Sequence, residues 1–112
     1  MELSKTDKKI ARQIIEKGLQ NEFAKSLFDA DSILDLWKCK SINNRDAYHK
    51  LYKHIADFDK HIAGLYDRMT GSKYIFIIAT QLYNGIISEE DMKELSEDAK
   101  QSIMLIANIH KL

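Results

Sequence analysis

Tyr48, Leu51, Ile55, Phe58, Ile62, Leu65 and Met69 follow one another alternately three and four residues apart. That spacing draws one apolar stripe down a helix, and Tyr52 and Tyr66 widen it. The stripe predicts a long central helix over 45–69, about 37 Å from end to end at the helical rise. Upstream, Ile10, Ile14, Leu19, Phe23 and Leu27 recur at helical intervals, with Ile15 and Phe28 broadening the face. Ser4 and Asp7 have the spacing of a capping box at its start. Gly18 interrupts this first helix at a cost of ~1 kcal/mol relative to Ala, and marks either a close helix crossing or a kink. Asp31 or Ser32 either caps a short continuation over 33–38 or marks a bend in one long helix. Trp37 closes that segment and is expected to anchor it on the core.

Beyond the stripe, Thr70-Gly71-Ser72 reads as a stop and a restart, with Gly71 left-handed past a helix end and Ser72 capping the next helix. This predicts a tight antiparallel hairpin between the central helix and 73–84. The run Tyr74-Ile75-Phe76-Ile77-Ile78 also has the character of a buried strand. No second such run exists to pair with it, and an isolated strand leaves its backbone unsatisfied, so a helix is expected. Being apolar nearly all round, it must be enclosed by other helices or by a second copy. Asn84-Gly85 ends it, and Ser88-Glu89-Glu90-Asp91 and Ser96-Glu97-Asp98 each open a further helix with a cap and an acidic first turn. The expected fold is all-α: a compact bundle of about five helices, with residues 1–112 forming a single domain.

Composition narrows the function classes. The 112 residues contain no proline and four glycines, which agrees with long helices and tight turns. Lys plus Arg and Asp plus Glu both total 17, so no overall field recruits nucleic acid or an anionic membrane. Lys8, Lys9, Arg12 and Lys17 make the first helix basic, which admits a nucleic-acid-associated regulator as one alternative. Asp7, Glu16 and Glu22 lie among them, so a solvated face is the simpler reading. Acidic residues from Glu89 to Asp98 have the wrong sign for a DNA-reading surface and suit a basic partner better. Cys39 is the only cysteine, which excludes an intramolecular disulfide and fits a reducing compartment. The polar start shows no secretory signal, and no apolar run nears the ~18 residues of a membrane span. A soluble cytoplasmic protein is expected.

Candidate chemistry gathers on the central helix. His54, Asp57 and His61 stand three and four residues apart on one ridge beside the stripe. Two imidazoles and a carboxylate could hold a transition metal or poise one histidine for proton transfer, so a metal- or histidine-dependent enzyme is the rival reading. Against it, the chain has no Glu-x-x-His pair of the kind bundle metal sites use, and Lys53 and Lys60 lie within helical reach of Asp57. The ridge therefore reads as a charged flank, solvated or lining an interface. Asp59, with Tyr52 seven residues before it and Tyr66 seven after, is expected to make a structural polar contact at the core edge. Asp29-Ala-Asp31-Ser32 starts like a calcium loop, but Leu34 and Lys40 stand where the loop needs glycine and glutamate. Cys39, between Lys38 and Lys40, has no base patterned beside it. No phosphate loop, dinucleotide fingerprint or nucleophile elbow occurs. No catalytic residue, metal ligand or cofactor is assigned. The function expected is that of a small intracellular, non-enzymatic protein that associates with itself or with another protein.

Overall fold

The apolar periods fold as four α-helices, with no strand among the described residues, 2–109 of a computed structural model. Helix α1 spans Lys5–Lys38, α2 Asn44–Tyr66, α3 Tyr74–Tyr83 and α4 Glu97–Ile109. The all-α class agrees with the sequence; the count of about five does not. The segment after Ser88 forms only a 310 turn, Glu89–Met92. Its capping box is present, but its apolar residues Met92 and Leu95 are three apart and both buried. Three residues per turn is the period of a 310 helix, which stacks such a pair on one side. At Asp31 and Ser32 the chain neither stops nor restarts, and α1 runs unbroken for 34 residues.

Two compact units result: Glu22–Asp67, and the described residues on either side of it. In the flanking unit, α3 is enclosed by α4 and by the first half of α1. Ile15, Ile77, Ile78 and Ile103 are at most 1% exposed. This enclosure meets the demand of the apolar run without a second copy. Gly18 is the close crossing: a Cβ there would overlap the amide of Gln81 on α3, which is itself fully buried and donates to the Ile15 carbonyl at 3.1 Å. Asp7 completes only half of the expected capping box. Its amide is capped by Ser4 Oγ (3.1 Å), while its carboxylate accepts from the Ser96 amide (3.0 Å) and hydroxyl (2.5 Å). Ser96 Oγ in turn accepts from the Ala99 amide, so one buried carboxylate joins the starts of α1 and α4. Those two hydrogen bonds from Ser96, the side chain's first, hold the Asp7 carboxyl below the usual carboxylate range.

The Glu22–Asp67 unit is an antiparallel pair made of the second half of α1 and all of α2. A tight turn joins them. Lys40 takes the left-handed conformation (φ 64°), and the Ser41 and Lys40 amides bond back to the carbonyls of Leu36 and Trp37, closing α1 in a Schellman arrangement. Asn43 Oδ1 then caps α2 by accepting from the Asp46 amide at 2.8 Å. This corrects the expected hairpin of 45–69 with 73–84. Helix α2 ends at Tyr66, three residues early, followed by extended Asp67 and left-handed Arg68 (φ 57°). Gly71 is not left-handed but begins a 310 turn, and Ser72 hydrogen-bonds Thr70 rather than capping α3. The tight turn expected there is at 39–43 instead. No described helix is long and apolar enough to cross a membrane.

Candidate functional site

Which side of α2 meets α1 decides what its polar residues can do. Pairs at Glu22 with His61, Ser26 with His54, and Trp37 with Asn44 run in opposite order along the two helices and define the antiparallel register. The side of α2 turned to α1 therefore includes His54 and His61, together with buried Ala47 and half-buried Leu51 and Phe58. The two histidines of the ridge thus line the helix contact, His54 half-buried and His61 still exposed, while Asp57 stays solvated. Both imidazoles take hydrogen bonds to α1.

Each polar residue finds a different partner. His54 Nε2 donates to the Ser26 carbonyl at 2.9 Å and lies 3.1 Å from Ser26 Oγ. Asp57 points away, exposed and paired with Lys53 at 2.7 Å; that hydrogen bond lowers its carboxyl below the ordinary value. His61 Nε2 donates to Glu22 Oε1 at 2.6 Å, and the Tyr66 hydroxyl donates to Glu22 Oε2. His54, Asp57 and His61 are therefore not brought together. Among the described residues no group of three or more His, Cys, Asp or Glu side chains is placed to hold a metal ion. Asp59 and Tyr52 are both exposed, and Asp59 is not shielded as the sequence suggested. Cys39 is also exposed; its thiol is lowered from the ordinary value by the Ser41 hydroxyl at 3.0 Å and then by the Ser41 amide.

Glu22 is the residue that sequence reading misjudged, counting it with the solvated charges of the first helix. It is 6% exposed, a buried carboxylate on a helix whose neighbouring charges are all solvated. A signal existed: Glu22 and Ser26 on α1 are polar positions four apart that mirror His61 and His54 across the hairpin. It could be read only once α1 and α2 were known to be antiparallel neighbours. Rings continue the cluster. Phe58 lies tilted beside His61 with centroids 6.2 Å apart, and meets Phe23 edge-on at 5.4 Å.

Beside the cluster is an apolar face that this unit leaves uncovered. The α2 stripe lies on the edge of the α1 contact rather than at its centre. Leu51, Phe58 and Ile62 are half-buried, while Tyr48 (69%) and Ile55 (49%) are exposed. On α1, Phe23, Leu27 and Leu34 fall on the matching flank, with Leu27 70% exposed. The Phe23–Phe58 contact joins the two flanks at one end. A cavity of about 200 Å³ lined by Leu34, Trp37, Ala47, Tyr48 and Leu51 joins them at the other. Trp37 does not anchor a core; it stands 42% exposed at this end, its indole N–H donating to Asn44 Oδ1 at 2.7 Å.

No family model and no curated protein matches the chain. Solved structures do. The Fluorescence Recovery Protein from Synechocystis sp PCC 6803 superposes with a TM-score of 0.76 at 24% identity, over 94% of this chain and 97% of that one. The Fluorescence Recovery Protein of Fremyella diplosiphon gives 0.78 at 19% identity, over 96% and 99%. At these identities, what is shared is the fold.

Proposed function

We propose that this protein is a non-enzymatic interaction module that associates with a second copy of itself through the apolar face of the α1–α2 hairpin. The observation that carries the reading is the exposure of Phe23, Leu27, Trp37, Tyr48, Tyr52 and Ile55 on one two-helix unit. Single exposed apolar residues are ordinary; a contiguous aromatic and aliphatic face is a docking surface. Six such side chains, at on the order of 100 Å² of exposed surface each, approach the ~800 Å² per partner of a standard interface. Tyrosine, tryptophan and phenylalanine are the residues that interface cores favour. A two-helix unit covers only one side of each helix, and a second hairpin laid on the open face would complete a four-helix arrangement. Self-pairing of one face about a two-fold axis closes the assembly, whereas a head-to-tail contact would not.

The solved neighbours of this fold are named for the recovery of fluorescence, not for a catalysed reaction, which supports the same functional class. An exposed lone thiol at Cys39 suits a reducing compartment, which supports a cytoplasmic location. Light scattering at ~100 μM, well above the ~1 μM of a specific complex, tests the reading. A dimer mass is expected, and a strictly monomeric mass would overturn self-association.

A further inference from the structure

We infer that Glu22 is the positioning residue of this association face, fixing the register of α1 against α2 at which a second copy docks. The inference rests on the self-association proposed above and adds how its surface is held. Glu22 projects from α1 and is 6% exposed. Both of its carboxylate oxygens are engaged from α2, Oε1 by His61 Nε2 at 2.6 Å and Oε2 by the Tyr66 hydroxyl. A buried carboxylate is tolerated only while its partners are in place. Sliding one helix past the other by a single residue moves it about 1.5 Å and breaks these short contacts, so the cluster sets the register tightly.

The same side chains reach the docking face. His61 borders Phe58, Phe58 meets Phe23 edge-on at 5.4 Å, and Phe23 follows Glu22 in the chain. Carboxylate, imidazole and two phenyl rings thus form a continuous chain of contacts that ends in the rings on the apolar face. The rest of the hairpin contact is more forgiving. Ile33 and Ala47 are apolar and adaptable, Trp37–Asn44 is a single hydrogen bond, and Ser26 meets His54 through one ring nitrogen. Removing Glu22 leaves these in place, so the hairpin persists while the face loses its alignment.

The dissociation constants of wild type, Glu22→Ala, Glu22→Gln and Tyr66→Phe, from sedimentation equilibrium on the full chain, test this. Glu22→Ala is expected to weaken self-association by about tenfold or more, the factor a lost charge-assisted hydrogen bond is worth. Its helix content by far-ultraviolet circular dichroism stays that of the wild type. Glu22→Gln keeps one acceptor and the packing, and returns the constant to within about threefold. Tyr66→Phe, which removes one hydroxyl and still folds if Glu22→Ala does not, weakens association by several-fold. Wild-type association by both Glu22→Ala and Tyr66→Phe overturns the inference and leaves the functional reading standing. Equal weakening by Glu22→Ala and Glu22→Gln also overturns it, because the acceptor geometry would then not matter. A wild type that stays monomeric removes the functional reading and this inference with it.

Discussion

Gly18 shows how a single residue's role emerges from its neighbours. Alanine there improves helix propensity by ~1 kcal/mol, which alone predicts stabilisation. Its Cβ, however, would overlap the Gln81 amide, a buried group held by the Ile15 carbonyl, and overpacking of this kind costs about 1–3 kcal/mol. Gly18→Ala is therefore expected to lower the melting temperature by a few degrees, and an increase would contradict the close crossing. Lys40 presents the opposite case, a left-handed residue (φ 64°) with a side chain. Lys40→Gly is expected to stabilise by about 0.5–1 kcal/mol in a thermal melt. Asp7 links its residue chemistry to pH. Because Ser96 holds its carboxyl low, the stability it contributes is present above the ordinary aspartate value near 3.9 and is lost as pH falls through the lower folded value. Asp7→Asn should cost about 1–3 kcal/mol at pH 7 and flatten the acid loss below pH ~4, as melts at the two pH values will show. The sequence identified Asp7 as a helix start and Gly18 as a possible crossing. It could not name Ser96 or Gln81, because those partners lie 89 and 66 residues from Asp7 and Ile15.

At the scale of elements, periodicity located the helices and mistook what some of them face. The α2 stripe holds from Tyr48 to Leu65, yet helix α1 meets α2 to one side of it, where His54 and His61 gain partners on α1 and Tyr48 and Ile55 stay exposed. A stripe identifies an apolar side but not which neighbour covers it, or whether one chain covers it at all. The same limit explains the misplaced hairpin. Gly71 and Ser72 looked like turn chemistry, whereas the working turn uses Lys40 in a conformation that lysine seldom adopts. Helix α3 was legible because nothing but enclosure suits so apolar a run. The ridge itself separates in energetic terms. Asp57 makes an exposed pair four residues from Lys53, so Asp57→Ala is expected to shift stability only slightly. His61→Ala, which strips a partner from buried Glu22, should cost several times that in the same denaturation assay.

At the scale of the molecule, two units share one helix. Helix α1 is continuous from Lys5 to Lys38 and supplies packing residues to both. We therefore expect residues 1–112 to unfold as a single domain, with one calorimetric transition whose enthalpy equals the van't Hoff value; two resolved transitions would contradict this. The flanking unit holds most of the buried apolar side chains, and the hairpin holds most of the exposed ones. That division is what makes the hairpin the interaction half of the account. The most direct measurement compares two substitutions of similarly exposed leucines, Leu27 on the hairpin face (70%) and Leu105 on α4 (65%). Sedimentation equilibrium of Leu27→Glu should give a monomer where the wild type is dimeric, while Leu105→Glu should remain dimeric, both with nearly wild-type melting temperatures. A dimer that survives Leu27→Glu, or one that Leu105→Glu abolishes equally, would contradict the hairpin face as the site of association.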